Sequence, residues 1–211
     1  EHLYEHRWKS CFRYLKDEVE GHGKALTTER AKQIGIFLNP CKDRAIEVML
    51  TGFYGHGNLG DELILKSIVK NITSSKPNVN FTIATSNPRH IEQSHGLPAV
   101  NLKDIDSSAR IAANMDVSLL GGGGLWHDYT FDRAGGVRAL FDGASISIGG
   151  YARPSVMARG HGASFHVFGL GVGPLTDLRA KAFVKFVADQ TDTITVRDEE
   201  SAKILRSIDG F

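Results

Sequence analysis

Residues 49–62 read Met-Leu-Thr-Gly-Phe-Tyr-Gly-His-Gly-Asn-Leu-Gly-Asp-Glu, an apolar strand joined to an amphipathic helix by a turn with four glycines in the nine positions 52–60. This turn constrains the fold more than any other stretch. Its glycines let the backbone come close to a bound group, and the helix behind it directs free N–H groups towards that place. Gly55-His56-Gly57-Asn58-Leu59-Gly60 even satisfies the dinucleotide spacing G-x-G-x-x-G. Two observations argue against a dinucleotide. Asp61 and Glu62 open the helix, where two carboxylates would repel a pyrophosphate. The ribose-binding acid expected about twenty residues further on should close the next strand, residues 80–85, yet Ser86-Asn87-Pro88 stands there. Without a ligand, the stretch reads as a tight turn with Asp61 as the helix cap.

Two further apolar strands end in the same way. Residues 117–120 run into Gly121-Gly122-Gly123-Gly124-Leu125-Trp126-His127-Asp128, and residues 165–168 into Gly169-Leu170-Gly171-Val172-Gly173-Pro174-Leu175. In an open α/β sheet the ligand crevice lies outside the carboxyl ends of the strands, so the three loops should converge on one edge. Strand signals at 46–51, 81–85, 117–120, 165–169 and 193–196 alternate with helical ones near 64–72, 88–94, 105–114, 177–190 and 199–206. The expected fold class is α/β: a Rossmann-like domain over residues 45–211, with a parallel sheet and helices on both faces. Residues 129–162 are the least regular, with seven glycines and with Pro154 limiting any helix. Arg133, Arg138, Tyr151 and Arg153 there would suit a saccharide or its diphosphate carrier, and equally a plain surface loop.

Residues 1–44 differ from the rest. Leu3, Trp8, Phe12, Leu15 and Val19, then Ala31, Ile34, Phe37 and Leu38, recur at helical spacing and predict a short helical appendage or linker. Its basic cluster, His6, Arg7, Lys9, Arg13 and Lys16, fits a solvated helix face or peripheral contact with a membrane or lipid-linked substrate. Over the whole chain 25 basic and 24 acidic residues nearly cancel, which removes any general attraction for nucleic acid. Cys11 and Cys41, the only cysteines, are too few for a secreted disulfide scaffold and lack metal-site spacing. No apolar run reaches the roughly 18 residues of a membrane span, and no cleavable signal is visible. A cytoplasmic protein is the expectation.

Four motifs together resemble the polysaccharide pyruvyl transferases: the run from Gly52 to Glu62, Gly-Gly-Gly-Gly-Leu-Trp-His-Asp from Gly121, Gly-Leu-Gly-Val-Gly-Pro-Leu from Gly169, and Thr-Val-Arg-Asp-Glu-Glu-Ser from Thr195. The likeness covers roughly residues 46–208. It implies the N-terminal half of a GT-B-like enzyme that moves pyruvate from phosphoenolpyruvate onto two hydroxyls of a sugar, leaving a cyclic ketal. It also implies a second Rossmann-like domain, supplying basic residues and a histidine for the donor, so these residues alone are expected to be inactive. A chain that starts at Glu1 and stops at Phe211 reads as a piece of such a protein.

The implied chemistry needs acid–base groups and anion clamps but no cofactor or metal, phosphoenolpyruvate being a substrate. Asp61, His127 and Asp128 are the candidate catalytic residues, with Asp61 the first choice for taking a proton from a sugar hydroxyl. Gly55, Gly57, Asn58, Gly122, Gly123, Gly171 and Gly173 are candidate substrate-binding positions on the converging loops. Arg197, at the end of the last strand, suits the donor's phosphate or carboxylate, or an ion pair with Asp198, Glu199 or Glu200. A GT-B glycosyltransferase using a nucleotide-sugar and a non-catalytic saccharide-binding domain are the alternatives.

Overall fold

The computed structural model describes residues 44–211 apart from 130, 132–134 and 143–146. The appendage expected over residues 1–44 lies outside them except for Arg44. At the centre is β1 (Ile46–Thr51), whose inner residues are apolar and buried in succession. Val48 and Leu50 belong to one apolar cluster and Met49 to the other, as expected of a strand covered on both faces.

The chain leaves β1 through α1 (Leu59–Ser75) to β2 (Val79–Thr85), then through α2 (Pro88–His95) to β3 (Ala99–Asn101), and α3 (Ile105–Ala112) carries it back to β4 (Val117–Gly121). β1 pairs in parallel with β2 from Ile46↔Val79 to Thr51↔Ala84, and with β4 from Val48↔Val117 to Thr51↔Leu120. The order reverses between β1 and β4, which makes their carboxyl ends the switch point of the sheet. β6 (Ser164–Val172) lies beside β4, and β7 (Thr193–Val196) pairs in parallel with β6. α5 (Leu178–Ala188) connects β6 to β7, and α6 (Glu199–Arg206) follows β7. The seven-stranded parallel sheet with its helices is the α/β, Rossmann-like fold read from the sequence. No described helix is long and apolar enough to cross a membrane.

Two three-residue strands carry too little periodicity to be seen in sequence: β3, and β5 (Gly124–Trp126). β5 prolongs β4 along the same neighbour. Gly121 stands opposite Phe168 and Gly124 opposite Gly171, so the strand resumes in register after a step at Gly122 and Gly123. Both step residues have positive φ, 77° and 73°, which suits glycine.

The larger correction concerns residues 129–162. A 13-residue helix, α4 (Ile148–Gly160), runs through Pro154, and nine of its residues are buried. Burial outweighs the hydrogen bond that proline forfeits. A helix enclosed on nearly every side shows no amphipathic stripe, and its glycines, alanines and serine read as loop. Ser118 Oγ donates to Ser155 Oγ at 2.8 Å, fastening α4 to β4. Arg153, only 1% exposed, donates to the carbonyls of Ala139 (2.8 Å) and Leu102, so it is a structural tie and not an acceptor contact. Arg133 lies outside the described residues.

α4 offers a test in which helix propensity and packing oppose each other. A Cβ added at Gly149 would lie 2.8 Å from the Leu140 backbone nitrogen, whereas one at Gly160 meets nothing within 4 Å. Propensity alone favours alanine at both by up to about 1 kcal/mol. Denaturant unfolding should show Gly149→Ala destabilised by about 1–3 kcal/mol through overpacking, and Gly160→Ala unchanged or stabilised.

Candidate active site

The first turn is tied down on both its carbonyl and its N–H side. Thr85 Oγ1 donates to Tyr54 O at 2.6 Å and Asn87 Nδ2 to Gly55 O at 2.8 Å. The Gly55 and Gly57 N–H groups donate to Glu62 Oε1 at 2.8 and 3.2 Å. Gly60 N–H donates to Asn58 Oδ1 at 3.1 Å, so the cap of α1 is Asn58 and not Asp61. The expectation of free N–H groups turned towards a ligand is corrected at Gly55 and Gly57, because Glu62 already occupies them. Sequence reasoning missed that role. Its only signal was an acid one turn into the helix, able to reach back over the glycines.

With the cap assigned to Asn58, Asp61 is released from that duty. It is 7% exposed, and its carboxylate accepts no hydrogen bond from the described residues. An oxygen of Asp61 packs against Gly123, where any side chain would collide with it. Gly122 is equally enclosed, since a Cβ there would lie 2.7 Å from Ile64 and 2.9 Å from the Tyr54 hydroxyl. Tyr54, fully buried, donates that hydroxyl to Gly121 O and so joins the turn after β1 to the end of β4. Burial, then the neighbouring Glu62 carboxylate, raise the Asp61 pKa above its ordinary value, partly offset by His56 and Arg197.

These contacts border a pocket of about 320 Å³ at the switch point. Phe53, Asn58 and Asp61 line it from the first turn, Gly124, Leu125 and His127 from β5 and the residue after it, and Ser147 and Tyr151 from the start of α4. His127 is half-buried, and its Nδ1 has no hydrogen-bond partner among the described residues. Burial lowers its pKa, and Asp128 works against that shift, so the ring tends to the neutral form. Tyr151 and Ser147 belong to the segment that sequence patterning left as a loop.

The other candidates fall elsewhere. The Asp128 carboxylate accepts from Thr176 N, Thr176 Oγ1 (3.0 Å) and Asp177 N (2.8 Å), clasping the loop after β6. These bonds give Asp128 a structural duty. Burial acts to raise its pKa, but the hydrogen bonds from Asp177 and Thr176 prevail and lower it. Arg197 Nε donates to Asp198 Oδ2 at 2.8 Å, and its guanidinium lies over Gly171, where a Cβ would come within 2.7 Å of Cζ. Gly171 is a platform for that side chain. At Gly173 the place of a Cβ is taken by Ile204 of α6. Among the described residues, no three His, Cys, Asp or Glu side chains gather as metal ligands.

With this geometry in place, the comparison of sequences decides the family. The family model described as polysaccharide pyruvyl transferase matches residues 58–209. The chain belongs to this family. No curated protein matches the chain. The pyruvyl transferase match begins at the Asn58 cap and takes in Asp61, Glu62, His127 and Arg197, while Gly55 and Gly57 precede it.

The clasp at Asp128 has a pH signature. A carboxylate whose pKa falls on folding contributes stability that is complete above its unfolded pKa and lost as pH falls through the folded one. Asp128→Asn, which cannot accept these bonds as an anion, should lose about 1–2 kcal/mol at neutral pH. Its unfolding free energy should then decline less steeply than the parent's on acidification below the ordinary carboxylate range, as read from denaturant melts across pH.

Proposed function

We propose that the protein transfers pyruvate from phosphoenolpyruvate to two hydroxyls of a sugar in a cell-surface polysaccharide or its precursor, forming a cyclic ketal. The observation that carries this reading is Asp61: a desolvated carboxylate with no hydrogen bond from the described residues, facing the switch-point pocket of a pyruvyl transferase family fold. The N–H groups of Gly55, Gly57 and Gly60 in the first turn are engaged within the chain and so are not open to the phosphates of a nucleotide-sugar. We place the reaction in the cytoplasm, with a lipid-linked acceptor met at the inner face of the membrane.

In the reaction a sugar hydroxyl oxygen bonds to C2 of the enol as the methylene carbon gains a proton and becomes a methyl group. The second hydroxyl oxygen then bonds to the same carbon, the bond from C2 to the phosphate oxygen breaks, and phosphate leaves with the second hydroxyl proton. Asp61, its pKa raised, takes the proton from the attacking hydroxyl. His127, tending to neutral and with Nδ1 unpartnered among the described residues, orients the sugar or hands on a proton. Arg197 keeps part of its guanidinium in solvent above Gly171 and holds the donor's phosphate or carboxylate. A second domain supplies the remaining basic groups.

Asp61 and Arg197 should fail in different ways when the full-length protein is assayed with phosphoenolpyruvate and an acceptor. Asp61→Asn should cost about a hundredfold to ten-thousandfold in kcat. Because the Asp61 pKa rises on folding, the stability it contributes is present below its unfolded pKa and lost as pH rises through the folded one, so the neutral amide should melt at or above the parent at pH 7. Arg197→Ala should mainly raise KM for the donor, by about 1.5–3 kcal/mol in transition-state terms. An Asp61→Asn protein that turns over within a few-fold of the parent removes Asp61 as the base.

A further inference from the structure

We infer that Glu62 is a positioning residue, which holds the glycine turn and the start of α1 so that Asp61 faces the pocket. The inference rests on the reading of Asp61 given above. Glu62 lines no part of the pocket, yet its carboxylate gathers three donors from two parts of the chain: Gly55 N–H (2.8 Å) and Gly57 N–H (3.2 Å) in the turn, and His95 Nε2 (2.7 Å) at the end of α2. The two side chains of the pair with His95 are only 15% and 13% exposed. Consecutive helical residues point about 100° apart, so Asp61 and Glu62 cannot share a direction. Glu62 is turned to the glycine turn and to the end of α2, and Asp61 to Gly123 and the cavity.

The chemistry of the three donors explains why a carboxylate stands here. It offers two oxygens and no hydrogen, so it can accept from all three at once, whereas an amide would set its own NH2 group against one of them. With these bonds in place, Thr85 and Asn87 hold the carbonyls of Tyr54 and Gly55, and the turn is bonded on both its carbonyl and its N–H side. Burial acts to raise the Glu62 pKa, but the bonds from His95, Gly55 and Gly57 prevail and lower it, so its charge is held beside Asp61. The other groups facing Asp61 are His56 on the turn, Arg197 after β7, the buried Tyr54 hydroxyl and Tyr151 on α4, with His127 on the same pocket. Glu62 therefore sets both where Asp61 points and how readily it ionises.

Glu62→Gln tests both parts. In the full-length protein the Gly55 and Gly57 amides should exchange with solvent about tenfold faster or more. The carbon-detected titration of the Asp61 carboxyl should move to lower pH, because one negative neighbour is gone. With phosphoenolpyruvate and an acceptor, kcat should fall about tenfold to a hundredfold while KM for the donor stays within a few-fold, and the acidic limb of the kcat profile should move with the Asp61 titration. His95→Ala, which leaves Glu62 two of its three donors, should speed exchange of the same two amides by less, and it serves if Glu62→Gln does not fold. Unchanged exchange at Gly55 and Gly57, or an unmoved Asp61 titration, overturns the inference. A parent that transfers no pyruvate refutes the proposed reaction instead, and the exchange and titration results still decide the role of Glu62.

Discussion

Everything at the switch point depends on one close approach, that of the Asp61 carboxylate to the backbone at Gly123. A side chain at residue 123 would displace the Asp61 carboxylate, and the positive φ there suits glycine, while a side chain at the neighbouring Gly122 would meet Ile64 and Tyr54. The approach desolvates a carboxylate while giving it no hydrogen bond from the described residues, an unfavourable arrangement unless something else holds it in place. The holding is done around Asp61: Asn58 caps the helix, Tyr54 ties the turn to Gly121, and Glu62 and Asn87 secure the turn from either side. Local strain on one group is maintained by hydrogen bonds on its neighbours, a pattern that accompanies functional carboxylates.

The two acids that open α1 thus divide the work. One is stripped of partners and its pKa raised, and the other is saturated with donors and its pKa lowered. The same division recurs across the pocket, where His127 keeps a nitrogen unpartnered among the described residues and the adjacent Asp128 is engaged by the loop after β6. In each pair the residue with its bonds filled supports the one left open.

Much of the fold was legible because βα units announce themselves. The strands from Ile46 and Thr193 and the helix from Glu199 lie where short apolar or β-branched runs and caps put them, the helix with a clear start signal at Asp198. α4 was illegible because a helix buried all round has no polar face to mark its period, and Pro154 and three glycines outvoted it. At the site, the meeting of the first two glycine-rich segments was readable from the succession of strands, but the third was not a loop at its start, since residues 169–172 continue β6 and line none of the pocket, and the use of each N–H was not readable either. Which of Asp61, Glu62 and Asn58 caps, braces or faces the cavity depends on side-chain direction within a single turn, and a linear pattern does not record it. Arg153, named with Arg138 for its loop setting, is almost fully buried, because backbone carbonyls from two separate segments claim it.

The account stands on the chemistry assigned to that pocket, and labelled donor tests it most directly. The full-length protein would be given phosphoenolpyruvate carrying carbon-13 at C2 together with a polysaccharide or lipid-linked saccharide acceptor, and the fate of the label followed by NMR alongside released phosphate. The account predicts that the label appears as a quaternary ketal carbon bonded to a methyl group, with one phosphate released per ketal formed. Label that stays in phosphoenolpyruvate or emerges as free pyruvate, while the acceptor gains a sugar from a nucleotide-sugar supplied in parallel, would contradict it.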